Sequence, residues 1–75
     1  NQTDDRILEL LAESDLILTP AVMARNLEYT RNWVSRRIGK LEDAELVDPV
    51  DSGYYRISER GRAYLAGEID ADELE

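Results

Sequence analysis

The sequence predicts a mainly α-helical domain with a small antiparallel β-sheet, and three observations carry that prediction. Two helix starts, Thr19-Pro20 and Thr30, follow one another closely, and each leads into apolar residues at helical spacing. Two short β-favouring runs flank Ser52-Gly53, which reads as a two-residue hairpin turn. Finally, 75 residues admit one domain and one core, near the lower limit for a chain without disulfides or metal.

Thr3-Asp4-Asp5 supplies an N-cap and acids for the positive end of a first helix, along which Ile7, Leu8, Leu10 and Leu11 recur. That helix is expected to reach about Glu13, where Ser14-Asp15 breaks it. Leu16-Ile17-Leu18 is a β-favouring apolar run, expected to pair as the third strand of the sheet. Thr19 then offers a hydroxyl cap and Pro20 takes the first helical position, where its missing N–H is not needed. The second helix spans Pro20 to about Asn26 or Leu27 and is expected to bury Val22, Met23 and Leu27. Glu28-Tyr29 makes the turn. Thr30 caps a third helix, about 30–44, whose inward stripe is Val34, Ile38 and Leu41. Arg31, Asn32, Ser35, Arg36 and Lys40 then face outward. Leu46 to Val50 reads as a strand and Tyr54 to Ile57 as its return, with Pro49 suited to an edge because it cannot donate to a ladder. Ser58 caps a last helix carrying Ala63, Tyr64 and Leu65 and extending toward Ile69. The domain covers 3–67, and 68–75 is an acidic tail with five carboxylates. The resulting order, α-β-α-α-β-β-α with the 47–57 hairpin as a wing, is a winged helix-turn-helix.

Composition narrows the chemistry. The chain has no Cys and no His. Disulfides, Cys/His zinc sites, thiol nucleophiles and Ser-His-Asp catalysis are excluded, and no cofactor or metal is expected. An enzyme would need a carboxylate pair in a cleft, whereas the acids scatter over predicted surfaces, so the chain does not read as one. No apolar run approaches the roughly 18 residues of a membrane span, and Asn1 to Arg6 lacks the features of a signal peptide. A soluble cytoplasmic protein is expected. Eight Arg and one Lys stand against eight Asp and nine Glu. That balance suits a halophilic protein in a salt-saturated cytoplasm, where carboxylates hold water and their repulsion is screened. An ordinary acidic domain is the alternative, and the halophilic reading predicts loss of structure below about half-molar salt.

Charge is unevenly distributed. From Arg25 to Lys40 five basic residues face one acid, Glu28, a local +4 in a chain of −8, so the remainder sums to −12. For a nucleic-acid footprint, charge over one element is a better test than global charge.

The stretch NLEYTRNWVSRRIGKLEDAELVDPVDSGYYRISERGRAYL resembles the haloarchaeal winged-helix regulators typified by the repressor of phage phi-H, within the broader multiple-antibiotic-resistance type. The likeness covers about Leu8 to Leu65. Its most specific parts are VSRR followed by KLEDAELV, and the wing phrase DSGYYRISERG from Asp51 to Gly61. The resemblance implies sequence-specific DNA binding and control of transcription, usually as a repressor. One departure stands out: Glu45 occupies a position where such sequences commonly have glycine. A helix end there often needs a positive φ, which costs a residue with Cβ about 1 kcal/mol.

On this reading Arg36 is the first candidate for a base-reading side chain, since an outward guanidinium can grip guanine O6 and N7 together; otherwise it is a solvated arginine or a partner of Glu42 or Asp43. Asn32 fits an adenine edge, Ser35 a base or phosphate, and Arg31 lies at the helix start nearest the groove. Thr30 and the free N–H groups of the first turn form a phosphate seat. Arg25, Arg37 and Lys40 read as backbone clamps, or as members of surface ion pairs. Trp33, on the flank of Arg37, either wedges between the second and third helices or lies against a sugar-phosphate edge; Tyr29 has the same ambiguity. In the hairpin, one of Tyr54 and Tyr55 faces the core and the other is open beside Arg56, which is either a wing contact or an exposed β residue. Gly39 sits mid-helix, either permitting a close backbone approach or as a tolerated surface position. The expected partner is operator DNA, bound by a possible homodimer using apolar groups such as Leu10 and Ile69. The competing reading is a winged-helix protein-interaction module whose acidic faces dock a basic partner.

Overall fold

A computed structural model describes residues 2–13 and 15–68. Helix α1 (Gln2–Ala12) leads to α2 (Pro20–Leu27) and α3 (Arg31–Asp43); a hairpin of β1 (Val47–Asp51) and β2 (Tyr54–Ile57) follows, and α4 (Glu59–Leu65) closes the domain. The fold is the winged helix expected from the sequence. The acidic tail lies, apart from Glu68, outside the described residues, as does Ile69.

The caps of the middle helices are those the sequence announces. Thr19 Oγ1 accepts from the Val22 N–H at 3.2 Å, and Thr30 Oγ1 accepts from the Trp33 N–H at 3.2 Å. Between α2 and α3, Glu28 takes a left-handed φ of 62°, and the Tyr29 N–H reaches back to the Ala24 carbonyl at 3.0 Å. This short reversal sets α3 across α2, the geometry of a helix-turn-helix.

The first three helices each contribute one stripe to the core, and α4 packs Tyr64 and Leu65, half-buried, against it. Ile7, Leu8 and Leu11 of α1 meet Met23, Ala24 and Leu27 of α2 and Val34, Ile38 and Leu41 of α3, with Leu46, Val47 and Ile57 from the hairpin's base. Val22 departs from expectation: it is 43% exposed, and Ala24 takes the inward place beside Met23. An eight-residue helix presents only one narrow face, and the face through Met23 and Leu27 turns Val22 outward.

The sheet is also smaller than the sequence suggests. Leu16–Leu18 contributes one bridge instead of a strand: the Leu18 N–H donates to the Tyr55 carbonyl at 3.0 Å and the Tyr55 N–H returns to Leu18 at 2.9 Å. Thr19 begins the next helical cap immediately after Leu18, so no further residue is free to extend the ladder. Along the other side of β2, β1 pairs antiparallel, with Val47 opposite Ile57 and a register irregularity between Pro49 and Asp51. Pro49 therefore lies on the outer edge, where its missing donor does no harm. Gly53 closes the turn at φ 79°.

The wing is fastened to the end of α3 and the start of α4. The Ser58 hydroxyl donates to the Glu45 carbonyl at 2.7 Å and accepts from the Gly61 N–H at 3.0 Å, capping α4. Gly61 is pressed so closely on the Leu46 carbonyl and the Ile57 side chain that a Cβ would overlap both. Much of the phrase ISERG is thus a structural joint that sets the angle between wing and α3.

Thr3 does not cap α1. It lies inside the helix, and its hydroxyl accepts from the Trp33 indole N–H at 3.1 Å. Trp33 accordingly sits against the start of α1, not between α2 and α3 as one of the two sequence readings had it. Beside it, both nitrogens of an Arg37 fork donate to Asp4, at 2.8 and 2.7 Å. Tyr64 ties α4 to α1 by donating to Asp5 at 2.7 Å. The acids at the start of α1 thus serve as tertiary anchors as well as complements to the helix dipole.

Candidate nucleic-acid interface

The face of α3 opposite Val34, Ile38 and Leu41 carries Asn32, Ser35, Arg36, Gly39 and Lys40, with Arg31 in the first turn, and all six are exposed. At 1.5 Å per residue the 13-residue helix is about 20 Å long. That suffices to lie along a B-DNA major groove, which is wide enough to admit a helix.

Electrostatically, the face is uncommitted. Among the described residues, no ion pair or hydrogen bond joins the side chains of Arg31, Arg36 or Lys40 to Glu42, Asp43 or any other acid. Arg25 on α2 and Arg56 on β2 are exposed in the same unpaired state. Cations that already hold an intramolecular carboxylate would have to surrender it before meeting a phosphate; these have none to surrender.

Arg37 is different: of its two expected places, backbone clamp or member of an ion pair, the structure shows the ion pair. Its guanidinium is engaged in both N–H···O bonds to Asp4 and lies over the Trp33 ring at 5.7 Å from the centroid. The pair is largely shielded, with the Arg37 and Asp4 side chains 22% and 12% exposed. Helical spacing places Arg37 on the flank nearest α1, and a charge so close to the core is retained by a partner. No local sequence signal joins it to an acid 33 positions earlier.

Thr30 is exposed and caps α3 with its oxygen, leaving the hydroxyl proton and the Arg31 and Asn32 N–H groups at the positive end of the helix. Tyr29 is half-buried beneath Arg6, whose guanidinium lies 5.3 Å from the ring centroid and donates to the phenol oxygen at 3.2 Å. On the hairpin, Tyr55 turns toward the core and Tyr54, 46% exposed, shares the outer face with Arg56. The wing therefore offers one aromatic and one cation together, but its rim also carries the exposed acids Asp48 and Asp51.

Away from α3, an open groove between α1, the end of α2 and α4 is lined by Leu10, Ala12, Leu27 and Leu65, with Arg6, Glu9 and Glu13 around it. Leu10, expected to stand exposed, is half-buried there. No helix among the described residues is long and apolar enough to cross a membrane.

Residues 1–75 match the family described as winged helix-turn-helix phage repressor. A repressor protein of Halobacterium phage phiH is 39% identical, over 97% of this chain and 86% of its own length. Among solved structures, the PhiH1 repressor-like protein from Haloarcula marismortui superposes with a TM-score of 0.75 and 42% sequence identity, over 91% of this chain and 78% of that one.

Proposed function

The chain belongs to the winged helix-turn-helix phage repressor family, and from that premise we propose that it binds double-stranded DNA sequence-specifically and represses transcription. Helix α3 enters the major groove and the hairpin lies alongside as a wing. One observation carries this reading: the outward side of α3 presents Arg31, Arg36 and Lys40 exposed and, among the described residues, without ion pairs, in a chain of net charge −8.

The roles divide by position. Arg36, near the centre of the outward stripe, grips a guanine, while Asn32 and Ser35 contact neighbouring base edges. Thr30 and the first turn of α3 seat a phosphate, and Arg31, Lys40 and Arg25 hold the backbone in register. Tyr54 and Arg56 make the wing's contact. Arg37 contributes by fixing α3 to α1 and takes no part in phosphate binding. Repression occurs in the cytoplasm, where two copies on a pseudo-palindromic operator double both contacts and specificity.

Selection of duplexes from a random library at several KCl concentrations tests the proposal, and enrichment of an inverted repeat is expected. On the enriched duplex, Arg36→Ala should lower affinity about 10- to 100-fold, the worth of one bidentate base contact, and relax specificity at one base pair. Unchanged binding by that variant would remove α3 from the interface.

A second reading draws on the acids of the wing rim, Asp48 and Asp51, which favour a basic protein partner over a phosphate backbone. It predicts that no duplex is enriched and that a partner survives replacement of Arg31 and Arg36 by alanine.

A further inference from the structure

Helix α3 contains a glycine for which the protein itself supplies no reason. Gly39 lies four residues before the helix end at Asp43, so it caps nothing, and it is absent from the residues with positive φ. A Cβ placed on it would meet nothing within 4 Å. The contrast with the other glycines is clear: Gly53 and Gly67 adopt φ of 79° and 80°, and Gly61 is crowded by the Leu46 carbonyl and Ile57. In a solvent-facing helix interior, glycine is among the least favourable residues and alanine the most favourable.

Its location on α3 suggests what the missing side chain serves. Gly39 follows Ser35 by four positions and Arg36 by three, so on a helix it adjoins both. It shares the stripe of Asn32 and Arg36, opposite Val34, Ile38 and Leu41. Bare main chain therefore interrupts the set of side chains proposed to enter the groove, leaving a recess the size of a methyl group.

We infer that Gly39 is a specificity-determining position: its recess lets α3 settle against the base pairs and receives the C5-methyl of a thymine. This rests on the reading of α3 as the DNA-recognition helix. The thymine methyl is the apolar projection that the major groove offers. A methyl in the recess and an alanine Cβ require the same space, so the helix must withdraw if both are present. Withdrawal lengthens the Arg36 and Asn32 contacts along the same stripe, and recognition loses more than one van der Waals contact.

The test uses the duplex enriched by the unaltered protein and the variant Gly39→Ala. The variant should be at least as stable, with Tm raised by about 4 °C or more, yet bind that duplex at least about tenfold more weakly, one missed base contact being worth that much. Replacing each thymine in turn by deoxyuridine should find one position where removal of the methyl recovers affinity for Gly39→Ala while not improving binding by the unaltered protein. Equal or tighter binding by Gly39→Ala would overturn the inference and leave the DNA-binding reading standing. A loss that no deoxyuridine recovers would overturn the thymine assignment. Failure of the unaltered protein to enrich any duplex would sink both.

Discussion

At the scale of single residues, Arg37 and Lys40 show how neighbouring cations on one helix take different work. Arg37 lies on the flank beside α1 and spends both arms of its fork on Asp4; Lys40 lies on the open side and, among the described residues, holds no acid. Removing Arg37 takes a two-pronged partner from a shielded carboxylate, a loss intermediate between that of an exposed ion pair, worth little, and that of a fully buried one. Arg37→Ala should therefore reduce unfolding free energy by about 2 kcal/mol while leaving the salt dependence of DNA binding unchanged. Lys40→Ala should do the reverse, with no change in chemical denaturation and a log–log salt slope shallower by about 1. A shallower slope for Arg37→Ala would return that residue to the interface. Sequence reasoning grouped the two because helical spacing reveals which face a residue occupies, but not which distant side chain fills the space beside it.

Among the elements, the middle of the chain was legible because its signals are local. Thr19-Pro20, Thr30 and Ser58 each bond to an N–H only a few residues away, so the residue type itself marks the helix start. Thr3 failed as such a signal because Trp33, thirty positions on, recruits its hydroxyl. Likewise the β-favouring apolar run at Leu16–Leu18 promised a strand, yet pairing with Tyr55 is limited to one residue by the cap that follows. Helix ends add a feature that the sequence marked only at Glu45: Asp15, Glu28 and Glu45, with φ of 52°, 62° and 63°, each occupy the left-handed position after a helix, where Gly67 serves α4. At Glu45 the closure is complete, its N–H reaching the Glu42 carbonyl and that of Leu46 reaching Leu41, both at 2.9 Å. The shape of the α3 terminus is thus kept despite the replaced glycine, and the strain is local. Glu45→Gly should consequently stabilise the domain by about 1 kcal/mol, raising Tm by roughly 4–8 °C, with wing and DNA affinity intact because Ser58 bonds only the Glu45 backbone. No gain in Tm would mean the backbone there is unstrained. The α1–α4 joint has a pH signature instead. The Tyr64 hydroxyl, held by Asp5 and partly buried near Asp4, has its pKa pushed up to about 12, against about 10 in the unfolded chain. Its contribution, about 1 kcal/mol for one partly solvated hydrogen bond, is complete below pH 10 and lost as pH rises toward 12, where the unfolded state holds fewer protons. Tyr64→Phe should erase that part of the alkaline decline while lowering stability at pH 7, as denaturation at both pH values would register.

For the whole molecule, the governing fact is that a polyanion of net charge −8 is proposed to meet a polyanion. Whole-chain charge opposes approach, and the cluster on α3 with Arg25 and Arg56 favours it. Salt acts on these terms differently. It screens diffuse repulsion between the acidic surface and DNA, which extends over about 10 Å at 0.1 M but only about 3 Å at 1 M, and it weakens each phosphate contact by making counterion release less favourable. With Arg37 committed to Asp4, the candidate phosphate contacts are Arg25, Arg31, Lys40 and Arg56, which sets a limiting slope of log affinity against log salt near −3.6 per protomer. Relief of the general repulsion works in the opposite sense, so the measured slope should be shallower than this and flatten further as KCl passes about 1 M. Recognition would then lean on desolvated base contacts at Arg36, Asn32 and Gly39, which salt does not exchange. Titrations of the selected duplex from low to multimolar KCl, with circular dichroism recorded on the same samples, separate loss of binding from loss of fold. A slope as steep as −8 per protomer would require twice the cations that the face presents, and would show that recognition is carried by phosphate contacts made elsewhere on the chain.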